Sequence, residues 1–285
     1  MLGKLIKYEW KGYRLPLIVM LIILAGTTAL TCGVILTINP KYDEVLTGYS
    51  VLALVFSIFL YYFGIIGCTV GMMLIAAIRF YKTCYTDQGY LTHTLPVTPL
   101  QLLNAKLITA VLTYLLILAA IAGTVCIIMN VSVNHILNMA SFNSSWTREM
   151  LREGMSDVAS AFEELFGVRF TPLLVYSIIY SILSSIASII SIFGCVSLGQ
   201  LYAKHRVLGA IAAYFILQFI QRIAGYLCTL PMYAKIIQAE SRHQELTFFN
   251  TYSPSMTWML IVSIAIAIAL YFANLHMMTK RLNLE

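Results

Sequence analysis

Six stretches of this chain are apolar and long enough to cross a bilayer: 15–38, 49–78, 106–130, 172–202, 207–232 and 256–278. The shortest, 256–278, reaches about 35 Å as a helix, against a hydrocarbon core of about 30 Å. Deep inside these stretches there is one charge, Arg222. Charged residues make up 11% of the chain and hydrophobic ones 60%, where soluble domains carry about 25% charged residues. A soluble core of this size could not hide so much apolar surface, so the solvent is lipid and the expected fold is an all-α membrane protein.

Charge sets the expected orientation. With six spans, the side holding the N-terminus collects eleven Lys and Arg (Lys4, Lys7, Lys11, Arg14, Arg79, Lys82, Lys106, Lys204, Arg206, Lys280, Arg281), and the other side six. Positive residues favour the cytoplasmic face, so both termini are expected there. The net charge of +6 then reports topology and gives no reason to expect nucleic acid as a partner.

The first residues read as an interfacial amphipathic helix over 2–14. Leu2, Leu5, Ile6, Trp10 and Tyr13 share one face, and Lys4, Lys7, Lys11 and Arg14 crowd the other, a pattern that lies in the membrane interface. Pro16 disfavours helix at Leu15 and predicts a bend into the bilayer. The apolar run that follows is too long for a signal peptide.

Several chemistries find no residues to carry them. The cysteines Cys32, Cys68, Cys84, Cys126, Cys195 and Cys228 lack paired spacing, which argues against a disulfide framework or a zinc site. There is no GxxxxGK[ST], HExxH or GxSxG motif, and no carboxylate pair within a span. No catalytic, metal or cofactor-binding residues are expected. If ATP drives this protein, another chain binds the ATP and magnesium, and there is no nucleotide-binding domain here.

The segment 79–105 is the one long connection that is both basic and rich in turn residues. Arg79 and Lys82 suit the C-terminal end of a helix. Thr86-Asp87-Gln88-Gly89 has turn chemistry. Tyr90–Leu95 is a short amphipathic piece ended by Pro96. Thr98 then suits an N-cap, with Pro99 at the first helical position and Gln101 completing a capping box.

The string DQGYLTHTLPVTPLQLLNAKL within this segment resembles the stretch between the second and third spans of ABC type-2, exporter-class transporter permeases. The tight match covers about twenty residues; the looser one, a basic amphipathic start and six spans, covers the chain. The resemblance implies that Asp87, Gly89, Tyr90, Leu91, Thr92, His93, Thr94 and Leu95 form a coupling helix seated on a separate ATPase subunit. It also implies a second permease copy or paralogue, a bacterial plasma membrane, and an amphipathic or hydrophobic cargo such as an antimicrobial peptide, a drug or a lipid.

Other polar features within the spans are candidates for a cavity or an interface. Ser177, Ser181, Ser184, Ser188 and Ser191 recur at four-three-four-three spacing, giving either a helix–helix seam or a path for cargo. Arg222, with Gln218 and Gln221, is costly in a membrane and is expected to face a cavity or a dimer interface, or else to snorkel outward. Gly67 and Gly71 have the spacing of close helix packing. The outer segment 131–170 holds Leu151, Met155, Val158, Phe162 and Leu165 on one helical face. Two further functional classes compete. An ion-coupled carrier would call for acidic residues inside the spans. A non-transporting sensor or scaffold would need no cytoplasmic docking helix.

Overall fold

The computed structural model describes residues 2–37, 44–86, 89, 97–139, 160, 163, 166–202, 205–242 and 247–280. Among the described residues there are six long helices: α1 (Leu2–Thr37), α2 (Glu44–Tyr85), α3 (Pro99–Met139), α4 (Phe170–Gly199), α5 (Arg206–Arg242) and α6 (Phe248–Lys280). Among the described residues there is no strand. All six helices are long and apolar enough to cross a membrane. Helix is the physical outcome because lipid offers a backbone no hydrogen-bonding partner.

The helices exceed the expected spans. α2 has 42 residues and α3 has 41, each about 60 Å long and roughly twice the hydrocarbon thickness. α3 continues to Met139, so the first nine residues of the expected outer segment 131–170 are helical. The amphipathic stretch 151–165 falls almost entirely outside the described residues.

The bend expected at Pro16 does not interrupt the helix, and two further prolines also lie inside helices. α1 runs unbroken through Pro16, α5 through Pro231 to Arg242, and α6 begins before Pro254. Residues 2–14, expected as an interfacial helix, form the first part of α1, and α5 and α6 extend through 233–242 and 248–253. Each proline removes one donor to the carbonyl four residues earlier. The remaining backbone groups are still satisfied most cheaply by continuing the helix.

The chain forms two units. The first comprises 1–79 and 95–142, with α1, α3 and most of α2. Small residues let its helices approach: Thr31 Oγ1 donates to the Ser57 carbonyl at 3.3 Å, and Cys68 Sγ to the Met20 carbonyl at 3.4 Å. A Cβ at Gly64 would meet Thr27 Oγ1 at 3.1 Å and one at Gly71 would meet Met20 Cε at 2.7 Å, whereas Gly67 has open space. The packing face is thus Ser57, Gly64, Cys68 and Gly71, and of the expected glycine pair it holds Gly71 alone. Tyr61 and Thr124 join α2 to α3 through hydroxyls 2.8 Å apart.

The second unit comprises 80–94 and 143–285. α4 is its buried centre, with Ile189, Phe193, Cys195 and Ser197 almost fully enclosed. Phe193 stacks on Phe80 from the end of α2, centroids 4.1 Å apart. At the end of α4, a Cβ on Gly199 would overlap the backbone of Ala210 on α5. The α4–α5 crossing is close enough that only glycine fits there.

Candidate functional site

The base of the 79–105 segment is built in the first unit. Arg79 sits near the end of α2 and Lys106 in the second turn of α3, and both reach Glu9 of α1. Lys106 Nζ donates to Glu9 Oε1 in a short ion pair. Arg79 Nη2 lies 3.6 Å from Glu9 Oε2. The Arg79 guanidinium is 4.7 Å from the centre of the Tyr13 ring, within cation–π range. It also lies against Gly12, where any Cβ would overlap it. Glu9, Gly12 and Tyr13 thus form a seat for Arg79 on one face of α1.

Burial gives these contacts weight. The Lys106 side chain is 3% exposed, Glu9 16% and Arg79 28%. A lysine so enclosed must be paired, because an unpaired buried charge is costly. The segment between Arg79 and Lys106 therefore has both flanks tied to one carboxylate.

The segment's ends are locally ordered as their residues dictate. Thr86 Oγ1 donates to the Lys82 carbonyl at 2.6 Å, and the Gly89 amide to the Thr86 carbonyl at 2.6 Å. Gly89 is buried against the last turn of α2, where a Cβ would stand 2.6 Å from the Cys84 carbonyl oxygen. At the far end, Thr98 caps α3: its Oγ1 accepts from the Gln101 amide at 3.4 Å, and Pro99 occupies the first helical position. Of the expected docking residues, Gly89 is described; Asp87, Tyr90, Leu91, Thr92, His93, Thr94 and Leu95 lie outside the described residues.

In the second unit, the end of α2 joins a buried hydrogen-bond chain. The Tyr85 hydroxyl lies 2.7 Å from Ser197 Oγ on α4, and Ser197 Oγ donates to Asn274 Oδ1 on α6 at 2.6 Å. All three residues are buried. The chain pairs the Tyr85 and Ser197 hydroxyls and the Asn274 carbonyl oxygen within the helices, as a dry interior demands.

The remaining candidates are not brought together. Ser177 and Ser181 are exposed and donate back to their own helix, to the Leu174 and Ile178 carbonyls. Ser184 and Ser188 are half-buried. Ser191 is buried, and its Oγ finds no hydrogen-bond partner among the described residues. The stripe thus runs from the surface into the packed core of α4. Within the described residues, Arg222 is exposed on α5, on a surface shared with Phe215, Phe219 and Tyr226, while Gln218 and Gln221 are half-buried.

The sequence puts Arg79 and Lys106 on the side of the N-terminus but does not join them to Glu9. The available signal was Glu9 itself, the one acidic residue among the first forty, set in a strongly basic helix. Comparison with known protein families, curated proteins and solved structures finds no match.

Proposed function

We propose that this chain is the membrane-spanning permease subunit of an ATP-binding cassette exporter, working with separate ATPase subunits and a second permease copy in a bacterial plasma membrane. Both termini lie in the cytoplasm on this reading. The cargo is amphipathic or hydrophobic: a peptide, drug or lipid. The observation that carries the proposal is the paired anchoring of the 79–105 segment, whose flanking cations Arg79 and Lys106 converge on Glu9. A segment that receives force from an ATPase needs stiff attachments, and a buried ion cluster between three helices supplies them.

The mechanism follows from those attachments. ATP-driven closure of the partner ATPases displaces the docked residues around Tyr90 and His93. Arg79 and Lys106 transmit the displacement to α1 through Glu9. Within the second unit, to which Phe80 and Tyr85 belong, these two residues engage Phe193, Ser197 and, through Ser197, Asn274. A photoreactive residue in place of His93 tests the proposal: it crosslinks to a nucleotide-binding protein in the native host, and crosslinking to lipid alone would reject it.

A further inference from the structure

Two adjoining pockets on the first unit have the chemistry of a phospholipid. One, of about 450 Å³, is lined by Lys4, Lys7, Lys11 and Arg14 with Tyr8 and Trp10. The other, of about 400 Å³, is lined by Leu17, Ile18, Trp10, Tyr13 and Arg14 of α1 and Thr113 of α3. Trp10 and Arg14 belong to both. Each volume falls in the range of small-molecule sites. We infer that this paired pocket binds one anionic phospholipid, its phosphate among Lys7, Lys11 and Arg14 and an acyl chain along Leu17 and Ile18.

Charge complementarity selects the occupant. Four cations line the polar pocket and no carboxylate does. Glu9, the sole acid on α1, is held by Lys106 and Arg79 and is not among the residues lining either pocket. Among the described residues, none of Lys4, Lys7, Lys11 and Arg14 is in an ion pair. The spacing of Lys4, Lys7, Lys11, Arg14 and Ile18 makes one continuous stripe on a helix, so the basic groove runs directly into the apolar one. Leu17 lies about 4.5 Å beyond Arg14 along the axis, the step from a phosphate to the start of its acyl chains. Trp10 and Tyr13 stand where aromatic side chains favour the headgroup level. A free phosphate would leave the apolar half unused, and a neutral lipid would leave the cations unmatched.

The inference requires that α1 spans a membrane, but not that the chain is a permease, so it stands or falls separately from the presence of an ATPase partner. The test uses the full-length chain with Trp146 and Trp258 replaced by Phe, leaving Trp10 as the fluorescent reporter. Dibrominated phosphatidylglycerol in mixed micelles is expected to quench Trp10 saturably at a mole fraction where dibrominated phosphatidylcholine does not. K11Q/R14Q should lower the apparent affinity about five-fold per cation, thus about thirty-fold. K280Q/R281Q, removing equal charge elsewhere, should leave it unchanged. Equal quenching by both lipids, retention of the preference in K11Q/R14Q, or its loss in K280Q/R281Q would each overturn the site. Complete competition by glycerol phosphate would also overturn it, because the acyl chain would then contribute nothing.

Discussion

Glu9→Gln is the sharpest perturbation of the ion cluster. The change keeps the side chain's size and removes its charge. Lys106, 3% exposed, then loses the carboxylate it is paired with. Breaking such a pair from one side costs about 3–5 kcal/mol. Arg79 contributes less, because it is 28% exposed and 3.6 Å from the carboxylate, where solvent screens the interaction. Lys106→Met should be much milder, since it removes the buried charge and keeps an apolar side chain of similar length. The double variant E9Q/K106M should recover most of what E9Q loses, because exchanging a whole buried pair for uncharged groups is often near neutral. Thermal unfolding of the purified protein in mild detergent reads the series. E9Q is expected to lower Tm by on the order of 10 °C, at about 2–4 °C per kcal/mol for a chain this long. If the effects of E9Q and K106M simply add, to within about 0.5 kcal/mol, then Glu9 is not the counter-ion of Lys106 and the reasoning fails.

Three more outcomes follow from named contacts. Tyr85→Phe removes one partner of Ser197 and should cost about 1 kcal/mol in the same unfolding assay; an unchanged Tm would show that the Tyr85–Ser197–Asn274 chain carries no stability. Thr98→Ala removes the cap of α3 and should also cost about 1 kcal/mol, with Thr98→Asn retaining wild-type behaviour as the control. Gly199→Val places a branched side chain where even a Cβ overlaps Ala210. It should abolish monodisperse protein in size-exclusion chromatography or cost more than about 3 kcal/mol, and a well-behaved, equally stable variant would contradict the close α4–α5 crossing.

The number of spans was legible because apolar length is a one-dimensional property. Each stretch from 15–38 to 256–278 lies within one of the six helices or overlaps most of it. Helix ends were less legible. Pro16, Pro231 and Pro254 are strong breakers in water, yet in apolar surroundings the cost of freeing further backbone groups outweighs one lost hydrogen bond. Local chemistry read correctly where it was self-contained: Thr98 caps α3 by accepting from the Gln101 amide three residues on, with Pro99 at the first helical position. The ion cluster joins residues up to 97 positions apart, and helical periodicity says nothing about which helix faces which. In the serine stripe, Ser177 and Ser181 satisfy their hydroxyls on their own helix, which spacing alone does not reveal. Gly89 looked like a docking residue and has a structural duty besides, since the α2 terminus leaves it no room for a side chain.

That duty decides how the central claim is tested. A charged residue at Gly89 would disturb the turn on Cys84 and confuse docking with folding. The direct measurement is co-purification from the native host: tagged protein extracted in mild detergent, with partners quantified by mass spectrometry, for the wild type and for Y90D/H93E. The account predicts an ATPase at a stoichiometry near one per permease chain in the wild type and its loss in Y90D/H93E, with Tm unchanged. An intact, folded wild-type protein that brings down no ATPase would contradict it.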